Sequence, residues 1–265
     1  MISLYQEDLA YIHATAYGAL ARGAAAEIVR VLKCAAISIR HVVDVGCGAG
    51  PLTAALVESG FDTTGIDASA ELLTMARAVA PAGRFIHRSA YDFEIPECDA
   101  VVAIGEVLAY HSEAADADRL VGDFFRRVSA ALPVGGQLIF DVIGLGEPSL
   151  AGHVWNSGED WAVLVHTEEA DRKLIRNIET FRRVGENYRR GREIHHVRLF
   201  NAEALCAQLS ASGFETTTVH SYGAQPLGPR RRAFFATKTR CGAGFSLQRC
   251  FSTRTEAEAK ASVAG

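Results

Sequence analysis

No run of apolar residues in the sequence approaches the ~18 to 20 needed to cross a bilayer, so a membrane-spanning helix is not expected. The leading stretch MISLYQEDLAYIHATAYG carries acids at Glu7 and Asp8 and lacks the basic and apolar blocks of a secretory or transit peptide. Cysteine is sparse: Cys34, Cys47, Cys98, Cys206, Cys241 and Cys250 form no C-x-x-C pair and keep no metal-ligand spacing with histidine. Free thiols in a reducing cytoplasm follow from that scatter. No acid cluster suggests a divalent metal, so no metal site is expected. A basic excess is also missing, with 27 Lys and Arg against 31 Asp and Glu and a net charge of −4. Such a balance gives no general attraction for nucleic acid and favours a small or neutral partner. What the chain does have is 265 residues, 49% of them hydrophobic and 22% charged. That is enough for one α/β domain of about 200 residues and a modest insertion, and it excludes disorder over most of the length.

The chain is organised around His41 to Asp67, HVVDVGCGAGPLTAALVESGFDTTGID. His41 to Val45 is a short β-branched run of the kind buried on both faces of a parallel sheet. It stops at Gly46-Cys47-Gly48-Ala49-Gly50, where alternate glycines permit a sharp turn and leave no side chain between backbone and ligand. Pro51 suits a first helical position, Leu52, Ala55, Leu56 and Ser59 repeat with helical spacing, and Gly60 is a natural stop. Phe61 to Ile66 is a second strand, and Asp67 at its end stands where a doubly wound sheet places the carboxylate that binds ribose hydroxyls. The pattern is Asp-x-Gly-x-Gly-x-Gly, so the third glycine comes one residue earlier than in the dinucleotide fingerprint and Asp44 precedes the first. An acid beside the turn repels a pyrophosphate and favours a cationic ligand.

This stretch closely resembles the S-adenosylmethionine signature of class I methyltransferases, and the resemblance extends with decreasing specificity from about Tyr5 to Lys238. It implies a doubly wound, seven-stranded, mostly parallel Rossmann-like sheet with an antiparallel last strand and a small antiparallel β insertion after strand 5. S-adenosylmethionine becomes the expected cofactor, with S-adenosylhomocysteine as product. Asp44, Gly46, Cys47, Gly48, Gly50, Asp67 and Ala68 are then its first contacts. By the same resemblance Asp92 accepts the adenine 6-amino proton, and the Tyr91 amide donates to a ring nitrogen. The leading helices fold over the site, which makes Tyr11, Tyr17 and Arg22 candidates for the inner face. Arg22 offers a cationic fork for a carboxylate.

Along the chain, two helical pieces broken at Gly18 precede the first strand, and Ser69 caps a helix that runs to Pro81. Arg84 to His87 and Asp99 to Ile104 are the third and fourth strands. Ligands lie beyond strand C-termini where the order reverses, so Gly105 and Glu106 face the glycine turn, with Tyr110 and His111 toward the acceptor. Asp118 to Leu132 is an amphipathic helix, and Gln137 to Val142 is the fifth strand. Residues 144–158 read as a loop. Then α/β alternation gives way to three β-rich runs, Asp160 to Thr167, Lys173 to Arg183 and Asn187 to Leu199, whose arginines are expected mostly on a solvated face. Such an insertion roofs the acceptor pocket in related enzymes, with Trp155, Trp161, Phe181, Tyr188, His195 and His196 as candidate walls. Asn201 caps a further helix, and Thr216 to Ser221 and Arg232 to Lys238 close the sheet as an antiparallel pair. The expected divisions are a helical cap at 1–40, the α/β core at 41–143, the roof at 144–200, the rest of the core at 201–239 and a tail at 240–265, with a short helix at Glu256 to Ser262.

The implied activity is transfer of a methyl group to an O or N atom of a small molecule by a cytoplasmic monomer or homodimer. Position supplies more of the rate than a base does, roughly 7 to 11 against about 3 to 5 kcal/mol. If a base is used, His111 comes first because its ring titrates near neutrality, followed by His195, His196 and Glu106. Neither the Asn/Asp-Pro-Pro-Tyr tetrapeptide nor the Pro-Cys pair of DNA base methylation is present. The same pocket also admits aminopropyl transfer, hydride transfer or a catalytically silent partner subunit. Asp44 and the early third glycine argue against hydride transfer.

Overall fold

The computed structural model describes residues 4–110 and 117–240. His111 and the segment Glu256 to Ser262 therefore lie outside the described residues. Two helices, α1 (Glu7–Ala16) and α2 (Ala19–Lys33), lead into alternating strands and helices: β1 (His41–Val45), α3 (Pro51–Glu58), β2 (Asp62–Asp67), α4 (Ala70–Val79), β3 (Arg84–His87), β4 (Ala100–Ala103), α5 (Ala117–Ala131) and β5 (Gln137–Ile143). Four strands follow without a helix, β6 (Gly152–Ser157), β7 (Trp161–Ala170), β8 (Lys173–Val184) and β9 (Asn187–Arg198). The chain ends in α6 (Ala202–Ala211), β10 (Phe214–Val219), the short strands β11 (Ser221–Tyr222) and β12 (Gln225–Pro226), and β13 (Arg231–Lys238).

Seven strands form one sheet in the order β10-β13-β5-β4-β1-β2-β3. β1 to β5 are parallel, whereas β13 runs antiparallel to both β5 and β10. The chain order reverses between β1 and β4, where Val42 to Asp44 pair with Ala100 to Val102. Central strands bury both faces, so successive residues serve two cores. Val43, Val101, Leu138, Phe140 and Phe234 pack with Phe124, Phe125 and Val128 of α5 and Leu205 and Leu209 of α6. Val42, Ala100, Val102, Ile139 and Phe235 pack on the other side with Ile28 and Leu32 of α2 and Leu52 and Leu56 of α3. The side-chain caps of α4 and α6 form as their sequences predict: Ser69 Oγ accepts from the Leu72 amide at 3.2 Å and Asn201 Oδ1 from the Ala204 amide at 2.8 Å.

The second sheet, β6-β7-β8-β9, leaves the main sheet after β5 and packs Leu174 and Val197 into the core beside α5 and α6. The Phe200 amide donates to Ile143 O at 2.9 Å and the Leu145 amide to Phe200 O at 2.8 Å, so its backbone neck at β5 is two hydrogen bonds wide. The segment 144–158 is not all loop, because β6 pairs through Gly152–Ser157 with β7. Its six residues are exposed and its pattern is short, which hid it from an apolar-periodicity reading. The arginine expectation holds for Arg172, Arg183, Arg189, Arg190 and Arg192, which are exposed, but not for all. Period-2 alternation puts Arg176, Ile178, Thr180 and Arg182 on the inner face of β8, and from there Arg176 pairs with Glu106 and Arg182 lies 3.6 Å from Asp8. A third small core, Leu9 and Ile12 of α1 with Trp161, Val163 and Ile178, fixes that sheet against α1. Among the described residues no helix is long and apolar enough to cross a membrane.

Candidate functional site

A cavity of about 600 Å³ opens at the carboxyl ends of β1, β2 and β4. Its floor is the glycine turn. Gly46 has φ +68°, and a Cβ there would lie 2.4 Å from Val107 Cγ2, so both the backbone and the packing demand glycine. Gly48 has φ +56° with nothing within 4 Å of an added Cβ, which means a side chain there would project into the open site. The turn has already used several of its donors. Gly46 and Cys47 amides bond Ile66 O at 2.7 and 3.0 Å, the Gly50 amide bonds Cys47 O at 2.9 Å, and the Gly48 amide bonds Asp67 Oδ2 at 2.8 Å. A turn so spent is a poor cradle for a polyphosphate, which needs free N–H groups.

Asp67 also accepts from the Ser69 amide through Oδ1 at 2.8 Å. Burial pushes its carboxyl above the ordinary range against these two bonds. With each oxygen held by one donor, a second lone pair on each remains for a ligand hydroxyl. Ala68, Cys47 and Gly105 complete this end, and Arg22 lines it from α2.

Asp44 is placed differently from its expected role. It is 2% exposed and does not line the cavity; the Thr53 hydroxyl donates to its Oδ2 at 2.6 Å. Burial pushes its carboxyl up to about 7. Its influence on a ligand passes through the field beneath the turn, not through contact. Gly50 likewise stands outside the lining, as the left-handed N-cap of α3, where a Cβ would lie 3.1 Å from Ala76 Cα.

The β3 end brings a second correction. Arg88, Ser89 and Ala90 line the cavity, whereas Tyr91 and Asp92 do not. The Tyr91 hydroxyl turns into the core and donates to Leu108 O at 2.6 Å, its amide is taken by Ser89 Oγ at 3.2 Å, and Asp92 is exposed.

Beyond Gly105 the cavity becomes aromatic, walled by Tyr5, His13, Tyr17 and Tyr110. Tyr5 and His13 were missed. His13 and Tyr17 are four residues apart, hence on one face at the end of α1, and that spacing was the available signal. Their rings stack at 6.1 Å, and Tyr5 meets His13 edge-on at 4.9 Å. Burial and the neighbouring His195 hold the His13 ring down to about 4, so it is neutral near pH 7. Tyr5 carried no signal, since it lies before α1 and reaches the site only because the carboxylate of Glu193, 188 residues away, takes its amide at 2.8 Å and that of Gln6 at 2.9 Å.

His195 is 1% exposed and stands behind this wall, not in it. Its Nε2 lies 2.9 Å from Glu193 Oε2, and its ring is edge-on to Tyr5 at 5.0 Å and to Tyr110 at 5.7 Å. Glu106 contributes no lining side chain either: its carboxylate binds Arg176 Nη1 at 3.1 Å and Arg231, donors from β8 and β13. Asp141 on β5 holds the Glu106 backbone, with φ +67°, by accepting the Gly105 and Glu106 amides at 2.9 and 3.1 Å. Neither tryptophan reaches the cavity. Trp155 is 75% exposed on the outer face of β6, and Trp161 is buried in the α1 core. Alternation had two faces to choose between, and only the packing of α1 chose.

A sequence model of the family described as a methyltransferase domain matches residues 42–131. YqeM of Bacillus subtilis (strain 168) is 29% identical over 209 residues, 74% of this chain and 82% of that protein. Among solved structures, an S-adenosylmethionine-dependent methyltransferase from Clostridium acetobutylicum ATCC 824 superposes with a TM-score of 0.73 at 20% identity, over 87% of this chain and 98% of that one. The sugar N-methyltransferase KedS8 from Streptoalloteichus sp ATCC 53650 superposes with a TM-score of 0.71 at 25% identity, over 91% of this chain and 94% of that one. Strand order, glycine turn and matched domain together give the chain the fold of class I S-adenosylmethionine-dependent methyltransferases, with a methyltransferase domain at residues 42–131.

Proposed function

We propose that the chain transfers a methyl group to an oxygen or nitrogen atom of a small molecule held against Tyr5, His13, Tyr17 and Tyr110. The observation that carries this reading is the continuity of one cavity from Gly48 and Asp67 to that aromatic wall. S-adenosylmethionine supplies the methyl on a sulfonium: the acceptor lone pair bonds the carbon, the carbon–sulfur pair returns to sulfur, and S-adenosylhomocysteine remains.

The chain's own residues fit that cofactor in three respects. Asp67 offers lone pairs to a ribose, Gly48 leaves the turn open, and Ser89 with Ala90 borders the base end, where Ser89 Oγ already accepts from the Tyr91 amide at 3.2 Å. Arg22 would meet the carboxylate of the amino-acid moiety. The α1–α2 cap, which lines the cavity from Tyr5 to Ala25, excludes water and holds the acceptor in line, with β8 and β9 bracing it from behind through Arg176 and Glu193, and this is where most of the rate acceleration is expected. The name of KedS8 describes a sugar amine acceptor; a polar ring of that size suits a chamber of four aromatic side chains.

Calorimetric titration with S-adenosylmethionine, S-adenosylhomocysteine and NAD tests the reading. Micromolar binding of the first two and none of NAD is expected, and preference for NAD would overturn it.

A further inference from the structure

The two phenols at the acceptor end constrain what they can touch, because the direction of their hydrogen bonds is forced. Arg176 has only N–H groups to give, so its Nη1 donates to the Tyr110 hydroxyl at 3.4 Å as well as to Glu106. The Tyr110 and Tyr5 hydroxyls lie 3.3 Å apart, and either can be the donor of that bond. Two phenols hold two protons. One is spent within the pair whichever ring donates, and neither can return to a guanidinium, which accepts nothing. Among the described residues neither hydroxyl has a further acceptor, so one O–H is left over, on Tyr5 or on Tyr110, and both rings line the cavity.

The surroundings decide the charge of what receives it. The Glu106 carboxylate is held by Arg176 and Arg231, and both Glu193 oxygens are held by the Tyr5 and Gln6 amides and the His195 ring. The acids that line the cavity, Glu58 and Asp67, belong to α3 and β2 on the cofactor side. Hence no carboxylate of the described lining faces the aromatic chamber to hold an ammonium ion. What faces it is the surplus phenolic proton on one side and the His13 ring, kept neutral by burial, on the other.

Resting on the methyltransferase reading above, we propose that the Tyr5–Tyr110 pair reads a lone-pair oxygen adjacent to the nucleophile, so that the acceptor is a neutral molecule with a hydroxyl or amine vicinal to an oxygen. Tyr5 and Tyr110 are specificity residues in this account. The proton that the nucleophile sheds as it takes the methyl leaves to solvent.

The test uses matched probes that differ by one vicinal oxygen, 2-aminophenol against aniline and catechol against phenol. Each is titrated calorimetrically into the full chain saturated with S-adenosylhomocysteine, and S-adenosylhomocysteine release from S-adenosylmethionine is followed in parallel. The oxygen-bearing member of each pair is expected to bind and turn over about tenfold better, the scale of one neutral hydrogen bond plus a donor otherwise left unpaired. Either single substitution, Tyr5→Phe or Tyr110→Phe, still leaves one phenolic donor, so each should lower the preference only about threefold or less. The double substitution removes it, bringing the ratio to within about twofold, a non-additive pattern that simple loss of packing does not give. Unchanged S-adenosylhomocysteine affinity of the double variant shows that it is folded. The proposal is overturned by equal affinity for both members, by a preference that survives the double substitution, or by failure of the oxygen-bearing probes to bind the loaded protein. Failure of S-adenosylhomocysteine itself to bind is a different result, which overturns the functional reading and this proposal with it.

Discussion

The two ends of the cavity are built in opposite ways. At the cofactor end, Gly46, Gly48, Asp67 and Ala68 come from one strand-turn-helix-strand unit, within about two dozen residues of chain. At the acceptor end, Tyr5, His13 and Tyr110 come from three places, and their support, Arg176, Glu193 and His195, comes from two strands of a separate sheet. The first end is held by backbone geometry, the second by long-range side-chain bonds. It follows that damage should stay local at the first end and spread at the second.

The sharpest way to break that contrast is Gly48→Val. A β-branched residue at φ +56° is strained and projects into the site, so the affinity for S-adenosylmethionine is expected to fall at least about 100-fold in calorimetry while the melting temperature moves little. Asp67→Ala should cost less, about 30-fold, the scale of one lost hydrogen bond to a charged acceptor.

At the other end, Glu193→Ala frees two backbone N–H groups and the partner of a buried histidine together. It is expected to destabilise the fold by about 2 to 4 kcal/mol in denaturant unfolding, and to weaken acceptor binding more than cofactor binding. Equal loss at both ends would show that α1 serves them as one body.

The titrating groups should separate the ends by pH. His13 is held below its unfolded value, so the unfolded chain binds more protons and the stability present above about pH 6.5 is lost as pH falls through about 4. His195, Tyr5 and Tyr17 face that ring, and His195 adds to the penalty of charging it. Asp44 has the opposite sign: its raised value means that stability is lost as pH climbs through about 7. A cationic ligand above it favours the ionised form, so cofactor affinity is expected to rise severalfold between about pH 6 and pH 8, and Asp44→Asn to flatten that rise in a calorimetric pH series. The smallest effect belongs to Trp155→Ala. At 75% exposure its loss is expected to change stability by less than about 0.5 kcal/mol and acceptor turnover by less than about twofold, whereas Trp161→Ala should cost about 3 kcal/mol or more.

The same contrast explains what could be read from the residues alone. The Ser69 and Asn201 caps follow from local patterns whose physics is complete within a few residues, whereas the seven-stranded sheet comes through the resemblance carried by the glycine turn. The place of Asp67 is local too. Asp44 was visible but its depth was not, because a strand's last inward residue and its ligand-facing neighbour differ by one step of the pleat. Trp155 and Trp161 are both aromatic positions near a roof, and nothing local tells the outer face of β6 from the inner face of β7. Tyr5 illustrates the limit: its role depends on Glu193, and no periodicity links residues so far apart in the chain.

The two-hydrogen-bond neck at Ile143, Leu145 and Phe200 has an evolutionary reading. Everything between its jambs is an excursion from β5 whose backbone attachment any sequence provides. A lineage or an engineer that exchanges it leaves the glycine turn untouched but must carry along the α1 side chains, Glu106 and Tyr110 and the core neighbours of Leu174 and Val197 that meet it.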